Sequence, residues 1–255
     1  MKPSSSVSVP QPASKRRRWI RVVCWIAVLL VVVVGGPLGL LIRSATAQHR
    51  AVRALRERGG QVSYRGQEPA GRDAGDDDGG FLRDFWAEVS TVDLGGTEAG
   101  DREMAYLEAL PTVEVLVLRD THVTDAGLEH LLSLAALSYL DVHGTEISDA
   151  GLETIGRLSQ LEDLDLSQTA IGDAALAELG NLRRLRSLDL TQTHVSDAGL
   201  PAMKRLKHLQ WLALGETEAT PAAIAKLRLA IPRTAVSLDG GDLRLSVPGG
   251  PLLAR

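Results

Sequence analysis

Apolar residues recur along the body of the chain at one long period. Units beginning at Val89, Val113, Leu137, Leu161, Leu185 and Leu209, each 24 residues after the last, are apolar at positions one, four and six, as in Leu161, Leu164 and Leu166. Position nine is threonine in all six: Thr97, Thr121, Thr145, Thr169, Thr193 and Thr217. The Leu-Asp-Leu stretch at 164–166 alternates inward and outward, as a short strand does. Apolar residues return at positions 16, 19 and 22, as in Leu128, Leu131, Leu134 and Leu152, Ile155, Leu158, and line one face of a short helix. Each unit should therefore run strand, turn, helix. One unit cannot bury its own apolar face, but stacked units share a continuous core.

The helix starts are legible. Thr124, Ser148 and Ser196 are N-cap candidates, and Asp125, Asp149 and Asp197 follow them in the first turn, where a carboxylate complements the helix dipole. Val123 with Leu128, Ile147 with Leu152 and Val195 with Leu200 have the spacing of a hydrophobic staple. In the last unit Thr220 is the cap and Pro221 falls at the first helical position. Ala235–Leu238 supplies a further strand, and Phe81, Leu82, Phe85 and Trp86 have helical spacing suited to a lid on the first repeat.

Ahead of the repeats the pattern changes. Val22 to Ile42 carries no charge and, at about 1.5 Å per residue in a helix, is long enough to span a bilayer. Trp19 and Trp25 stand at its start, where indoles favour the interface, and Gly35, Gly36 and Pro37 are expected to kink it near its far end. Residues 19–42 are read as an uncleaved signal anchor. The alternative, a cleaved signal ending at Ala45-Thr46-Ala47, needs a shorter apolar run than this one. Lys15, Arg16, Arg17, Arg18 and Arg21 favour a cytoplasmic N-terminus with the repeats periplasmic or extracellular, although Arg43, Arg50, Arg53, Arg56 and Arg58 nearly balance them. The expected organisation is a disordered basic tail (1–18), the anchor (19–42), and a juxtamembrane helix with an acidic linker (43–80), the helix ending at Gly59-Gly60. An N-terminal cap (81–88), the repeats (89–238) and a flexible tail (239–255) follow.

Charge sharpens this division. Residues 1–58 hold 11 Lys/Arg against Glu57 alone, while the remainder holds 17 Lys/Arg against 31 Asp/Glu. An acidic body argues against a nucleic-acid partner, because affinity for phosphates needs Lys and Arg. The single cysteine, Cys24, excludes an intrachain disulfide and a thiolate metal cluster. Aromatics are only 4% of the residues, so Leu, Val, Ile and Ala must build the core.

The units LEDLDLSQTAIGDAALAELGNLRR and LRSLDLTQTHVSDAGLPAMKRLKH resemble the leucine-rich-repeat family, with its L-x-x-L-x-L-x-x-N/C-x-L pattern. Their helix starts look like those of the ribonuclease-inhibitor-like and F-box-type repeats. The resemblance covers residues 89–238. It implies an α/β fold: a right-handed leucine-rich-repeat solenoid of strand-turn-helix units, here with an N-terminal transmembrane helix, which binds partners on a concave strand face. Threonine replaces the family's Asn/Cys, so a side-chain ladder along position nine does not follow from the motif. The whole layout, including Gly59–Tyr64 (GGQVSY), is similar to bacterial membrane-anchored leucine-rich-repeat proteins.

Odd strand positions should face that open surface. Position five places Asp141, Asp165 and Asp189 in a column at about 4.8 Å spacing. Such a column suits a basic segment or a cation; it is equally readable as a solvated face with flanking counter-ions. Tyr139, His143 and Trp211 share the face as contact anchors. The expected partner is a protein or peptide, with the membrane engaged through 19–42. His122 and His194, in non-adjacent repeats, read as turn-surface residues and not as a metal pair. Asp76–Gly79 lacks the ligand spacing of a calcium loop. With no G-x-S-x-G, H-E-x-x-H or phosphate loop, neither catalysis, cofactor nor metal is expected. The competing functions are a structural component of the cell envelope without a specific ligand and an enzyme with an unrecognised site.

Overall fold

The computed structural model describes residues 36–66 and 87–238. The basic tail, most of the expected anchor, the acidic linker beyond residue 66, the lid residues Phe81, Leu82, Phe85 and Trp86, and the tail 239–255 lie outside the described residues. The chain divides into residues 1–46 and 47–255. In the first, the described residues begin α1 (Gly36–Glu57), a single helix that continues past Arg43. Among the described residues no helix is long and apolar enough to cross a membrane.

Among the described residues of the second unit, eight strands form one sheet in sequence order. They are β1 (Gln61–Tyr64), β2 (Val89–Asp93), β3 (Val115–Val117), β4 (Tyr139–Asp141), β5 (Asp163–Asp165), β6 (Ser187–Asp189), β7 (Trp211–Ala213) and β8 (Ala235–Ser237). From β2 onward the pairing is parallel, and each residue faces its counterpart one repeat away: Leu116 faces Leu140, which faces Leu164. Positions one, four and six are buried in every repeat. Each such leucine contributes about 2 kcal/mol of transfer free energy.

In four of the six repeats the second half is tighter than the regular helix expected. One α-turn, such as α2 (Asp125–Leu128), is followed by a 3-10 stretch at Glu129–Ser133; Glu178–Asn181 and Leu200–Arg205 are 3-10 as well. Apolar residues at positions 16, 19 and 22 recur every third residue, a spacing that a 3-10 helix and one face of an α-helix both accommodate. Two repeats form longer α-helices: Asp149–Ile155 behind the Ser148 cap, and Pro221–Ala230 behind the Thr220 cap and Pro221. The staple pairs Val123–Leu128, Ile147–Leu152 and Val195–Leu200 are all buried.

The caps behave as expected in one respect and differently in another. Thr124, Ser148 and Ser196 accept the N–H of Ala126, Ala150 and Ala198. The aspartates that follow do more than complement a dipole: each reaches forward into the next repeat. Asp101 accepts the N–H and hydroxyl of Thr124, Asp125 those of Ser148, Asp173 those of Ser196 and Asp197 those of Thr220. Asp149 accepts only the N–H of Gly172, which has no hydroxyl to offer. The reach of these carboxylates explains the glycine two residues later. A Cβ on Gly151 would lie 2.5 Å from Asp125 Oδ1, and one on Gly199 would lie 2.3 Å from Asp173 Oδ1.

Position nine bonds locally. Each threonine hydroxyl donates to the carbonyl three residues earlier, as Thr121 to Leu118 and Thr145 to Val142, both at 2.6 Å. No ladder between threonines is needed. Position eight turns the chain in the left-handed region in all six repeats: Gly96, Asp120, Gly144, Gln168, Gln192 and Glu216 have φ between 52 and 66. This lets the N–H of Asp120, Gly144 and Gln168 bond the carbonyls of His143, Ser167 and Thr191 in the next repeat.

The expected juxtamembrane helix is partly core. Ala51, Val52 and Leu55 of α1 are buried in the same apolar cluster as the first repeat. The helix stops where expected: Gly59 N–H bonds Arg56 O and Gly60 N–H bonds Leu55 O, the paired bonds of a Schellman ending. Gly60 is required there, since a Cβ would come within 2.4 Å of Leu94 Cδ2. The chain then returns as β1, antiparallel to β2 with Val62 opposite Val92. Arg65 holds its end through Glu88 and Glu114. Arg58 pairs with buried Glu103 (3.2 Å), which also accepts the Gly100 N–H; Glu103 stands where later repeats have the close-packed glycine.

Candidate functional site

Even strand positions point into the core, so positions three, five and seven form the opposite, open face of the sheet. All six predicted contact residues lie on it. Tyr139, Asp141 and His143 come from β4 and the turn after it, Asp165 from β5, Asp189 from β6 and Trp211 from β7. Asp141 is register-paired with Asp165, and Asp165 with Asp189, so the three carboxylates form the predicted column. Tyr139 and Trp211 lie on one row, three strands apart, which is about 14 Å.

The column is only partly open to solvent, with Asp165 half-buried between two buried neighbours. Asp141 and Asp189 are only 5% and 4% exposed. Short parallel strands pack neighbouring side chains of the row against each other and remove the carboxylates from water. Each still accepts the backbone N–H two residues on: Asp141 from His143 (3.0 Å), Asp165 from Ser167 (2.9 Å) and Asp189 from Thr191 (2.8 Å). Those bonds favour the charged form but do not win. Burial pushes all three carboxyls above the usual carboxylate range, and Asp141 raises Asp165 further, as Asp165 raises Asp189. Arg119 is the nearby cation that opposes this at Asp141. Tyr139 is half-buried, and its phenol is pushed up by burial and then by Asp141.

Asp163 belongs to the same face and the sequence reading missed it. It lies between Tyr139 and Ser187 on the row of Trp211. Its carboxyl is pushed up to about 6 by burial and by Glu162, against the pull of Arg186. The signal was present: in Asp163-Leu164-Asp165 both aspartates share a face by alternation.

His143 is engaged: Nδ1 lies 2.7 Å from Ser167 Oγ, and that hydroxyl donates to Asp165. The order is carboxylate, hydroxyl, imidazole. Asp165 therefore orients the hydroxyl and not the imidazole, unlike a nucleophile triad. Elsewhere, His122 and His194 sit on the turn edge, as expected. His122 is 3.2 Å from Glu98 and His194 is 3.1 Å from Glu218, each pair spanning adjacent repeats.

Parallel strands in unbroken 24-residue register, buried at positions one, four and six, set the architecture, and the Leucine Rich repeat family model matches residues 109–132, the length of one repeat. The chain carries leucine-rich repeats. Among solved structures, this leucine-rich-repeat chain is similar to an internalin (inlF) from Listeria monocytogenes, with 21% identity over 54% of this chain and 38% of that one, at a TM-score of 0.46. It is also similar to an internalin C2 from the same organism, with 19% identity over 64% of this chain and 76% of that one, at a TM-score of 0.47. The chain thus spans well under half the length of the first of these. A search of curated proteins gave no match.

Proposed function

We propose that this leucine-rich-repeat protein is held in a membrane by residues 19–42 and binds a protein or peptide with a basic segment through the open face of its sheet. One observation carries the proposal: Asp141, Asp165 and Asp189 stand in consecutive register on that face, desolvated and mutually repelling. An approaching Lys or Arg offsets both effects, because an opposite charge nearby favours the ionised form. Asp163 and half-buried Tyr139 and Trp211 widen the surface, and aromatics are favoured where binding energy concentrates. An acidic face repels nucleic-acid phosphates. The anchor rests on the uncharged run at 22–42 and its interfacial tryptophans.

The test is crosslinking capture from membranes by the wild-type chain and by Trp211→Ala/Asp165→Lys, after circular dichroism shows that both fold. The proposal expects a specific partner on the wild type that the variant loses, and capture that weakens as pH falls and the carboxylates protonate. Identical capture by both would refute it and leave a scaffolding role, or another surface.

A further inference from the structure

The repeats have two rims, one where the parallel strands begin and one where they end, and the two carry opposite charge. On the rim where strands end, Glu98, Asp120, Glu146, Glu216 and Glu218 are exposed. On the rim where strands begin, the last five positions of the third, fourth and fifth repeats supply Arg157, Arg183, Arg184, Lys204, Arg205 and Lys207, all exposed. The same positions of the first two repeats, Glu108–Thr112 and Leu132–Ala136, hold no cation. A requirement of the repeat fold would recur in every unit; this cluster does not.

These six side chains also lack the partners that other cations of the unit have. Arg53, Arg58, Arg65 and Arg186 each pair with a carboxylate, and Arg65 and Arg186 thereby neutralise Glu88, Glu114 and Glu162 on this same rim. Among the described residues none of the six forms an ion pair. Glu178, the acid nearest to Arg183 in sequence, accepts instead from Asn181 Nδ2 (3.4 Å). Arg205 lays its stem over Gly180 of the preceding repeat, where a Cβ would come within 2.8 Å of Arg205 Cδ, so its charge is carried back beside the fourth repeat. Like charges gathered on one rim repel, and an anionic surface offsets that repulsion.

The chain enters this unit at the same rim. Gln48 Nε2 donates to Ala87 O (2.8 Å), just ahead of β2, whereas Gly60, past the end of α1, lies against Leu94, just after β2. From Gln48 onward α1 therefore runs from the rim where strands begin to the rim where they end. We propose that the basic rim rests on the anionic headgroups of the bilayer in which the chain is anchored, with the six cations as its contacts. The inference rests on the anchor proposed above at 19–42, since the chain that follows the anchor joins the repeats at this rim. A basic cluster beside an anchor is drawn to anionic lipid, and the attraction acts within about a Debye length of the surface. The acidic rim is repelled by the same lipid, so docking fixes the orientation of the repeats and keeps the open face of the sheet clear for its partner.

The test uses the full-length chain in vesicles of phosphatidylcholine, with and without phosphatidylglycerol. In a Cys24→Ser background a fluorophore is attached at Gln210→Cys, on the basic rim, or at Glu146→Cys, on the acidic one, and energy transfer to an acceptor on the lipid headgroups is measured. Transfer from position 210, and not from position 146, should rise when phosphatidylglycerol is present. High salt or Lys204→Glu/Arg205→Glu/Lys207→Glu should abolish that rise, and the charge-keeping Lys204→Arg/Arg205→Lys/Lys207→Arg should retain it, with circular dichroism showing that both variants fold. Equal transfer in the two lipids, from a chain that high salt does not release, would overturn the inference and leave the anchor standing. A chain that binds only phosphatidylglycerol vesicles, is released by salt and is lost in the glutamate variant would refute the anchor and support the rim. Binding to neither vesicle would refute both. Transfer that rises with protein concentration alike in both lipids would assign the basic rim to the acidic rim of a second copy and overturn the inference.

Discussion

Two columns of aspartate run through the same repeats with the same period, and they do opposite things. At the helix starts, Asp101, Asp125, Asp173 and Asp197 each receive both an N–H and a hydroxyl from the next repeat. On the sheet, Asp141, Asp165 and Asp189 face one another, each with a local N–H bond and burial that disfavours its charge. The first column joins repeats. The second carries carboxyls whose charge burial disfavours, and the binding role proposed for the face accounts for their presence there. A period alone does not distinguish structural acids from functional ones; the donors around each carboxylate do.

The comparison can be broken from the structural side first. Asp125→Ala strands the Ser148 N–H and hydroxyl and removes two charge-assisted bonds, and should cost about 2–4 kcal/mol in urea unfolding. A loss below about 0.5 kcal/mol, the size of an ordinary surface change, would deny the column its joining role. Gly151→Ala drives a Cβ against Asp125 Oδ1, Leu128 Cδ1 and Ile147 Cγ2, and should cost about 1–3 kcal/mol. Combined with Asp125→Ala it should cost less than the two effects added, because the clash partner is gone.

The sheet column should respond with the other sign. Asp163 holds its proton up to about 6, so the folded chain binds that proton more tightly than the unfolded chain. The stability this gives is full below about pH 4 and is lost as pH rises to about 6. Asp163→Asn should therefore stabilise the protein at pH 7 by about 1–2 kcal/mol after allowance for solvent screening, and flatten the decline across that window. A pH profile identical to that of the wild type would contradict the assignment. The smallest effect belongs to position eight. Gln168→Gly relieves a left-handed residue at φ 54 and should stabilise by about 0.5–1 kcal/mol in the same unfolding assay.

Much of the fold was legible because the repeat writes it six times. Strand positions, cap residues, staples and the column at position five follow from alternation and spacing alone. What escaped reading has physical causes. The forward reach of Asp125 depends on how neighbouring repeats stack, which no single unit contains. The 3-10 geometry was hidden because a three-residue spacing also fits one face of an α-helix. The core role of Ala51, Val52 and Leu55 was obscured by the arginines between and around them, which made a packed helix look like a solvated stalk. On the candidate face, the column was visible but its desolvation was not, because burial there comes from adjacent rows of short strands.

The most direct measurement is urea unfolding at pH 7 of two isosteric variants, Asp125→Asn and Asp165→Asn, against the wild type. The account predicts opposite shifts: a lower midpoint for Asp125→Asn, which loses a charged acceptor joined to Ser148, and a higher midpoint for Asp165→Asn, which replaces a carboxyl whose ionisation burial and Asp141 oppose. Midpoints that fall together would contradict it, and would make the sheet column as structural as the caps.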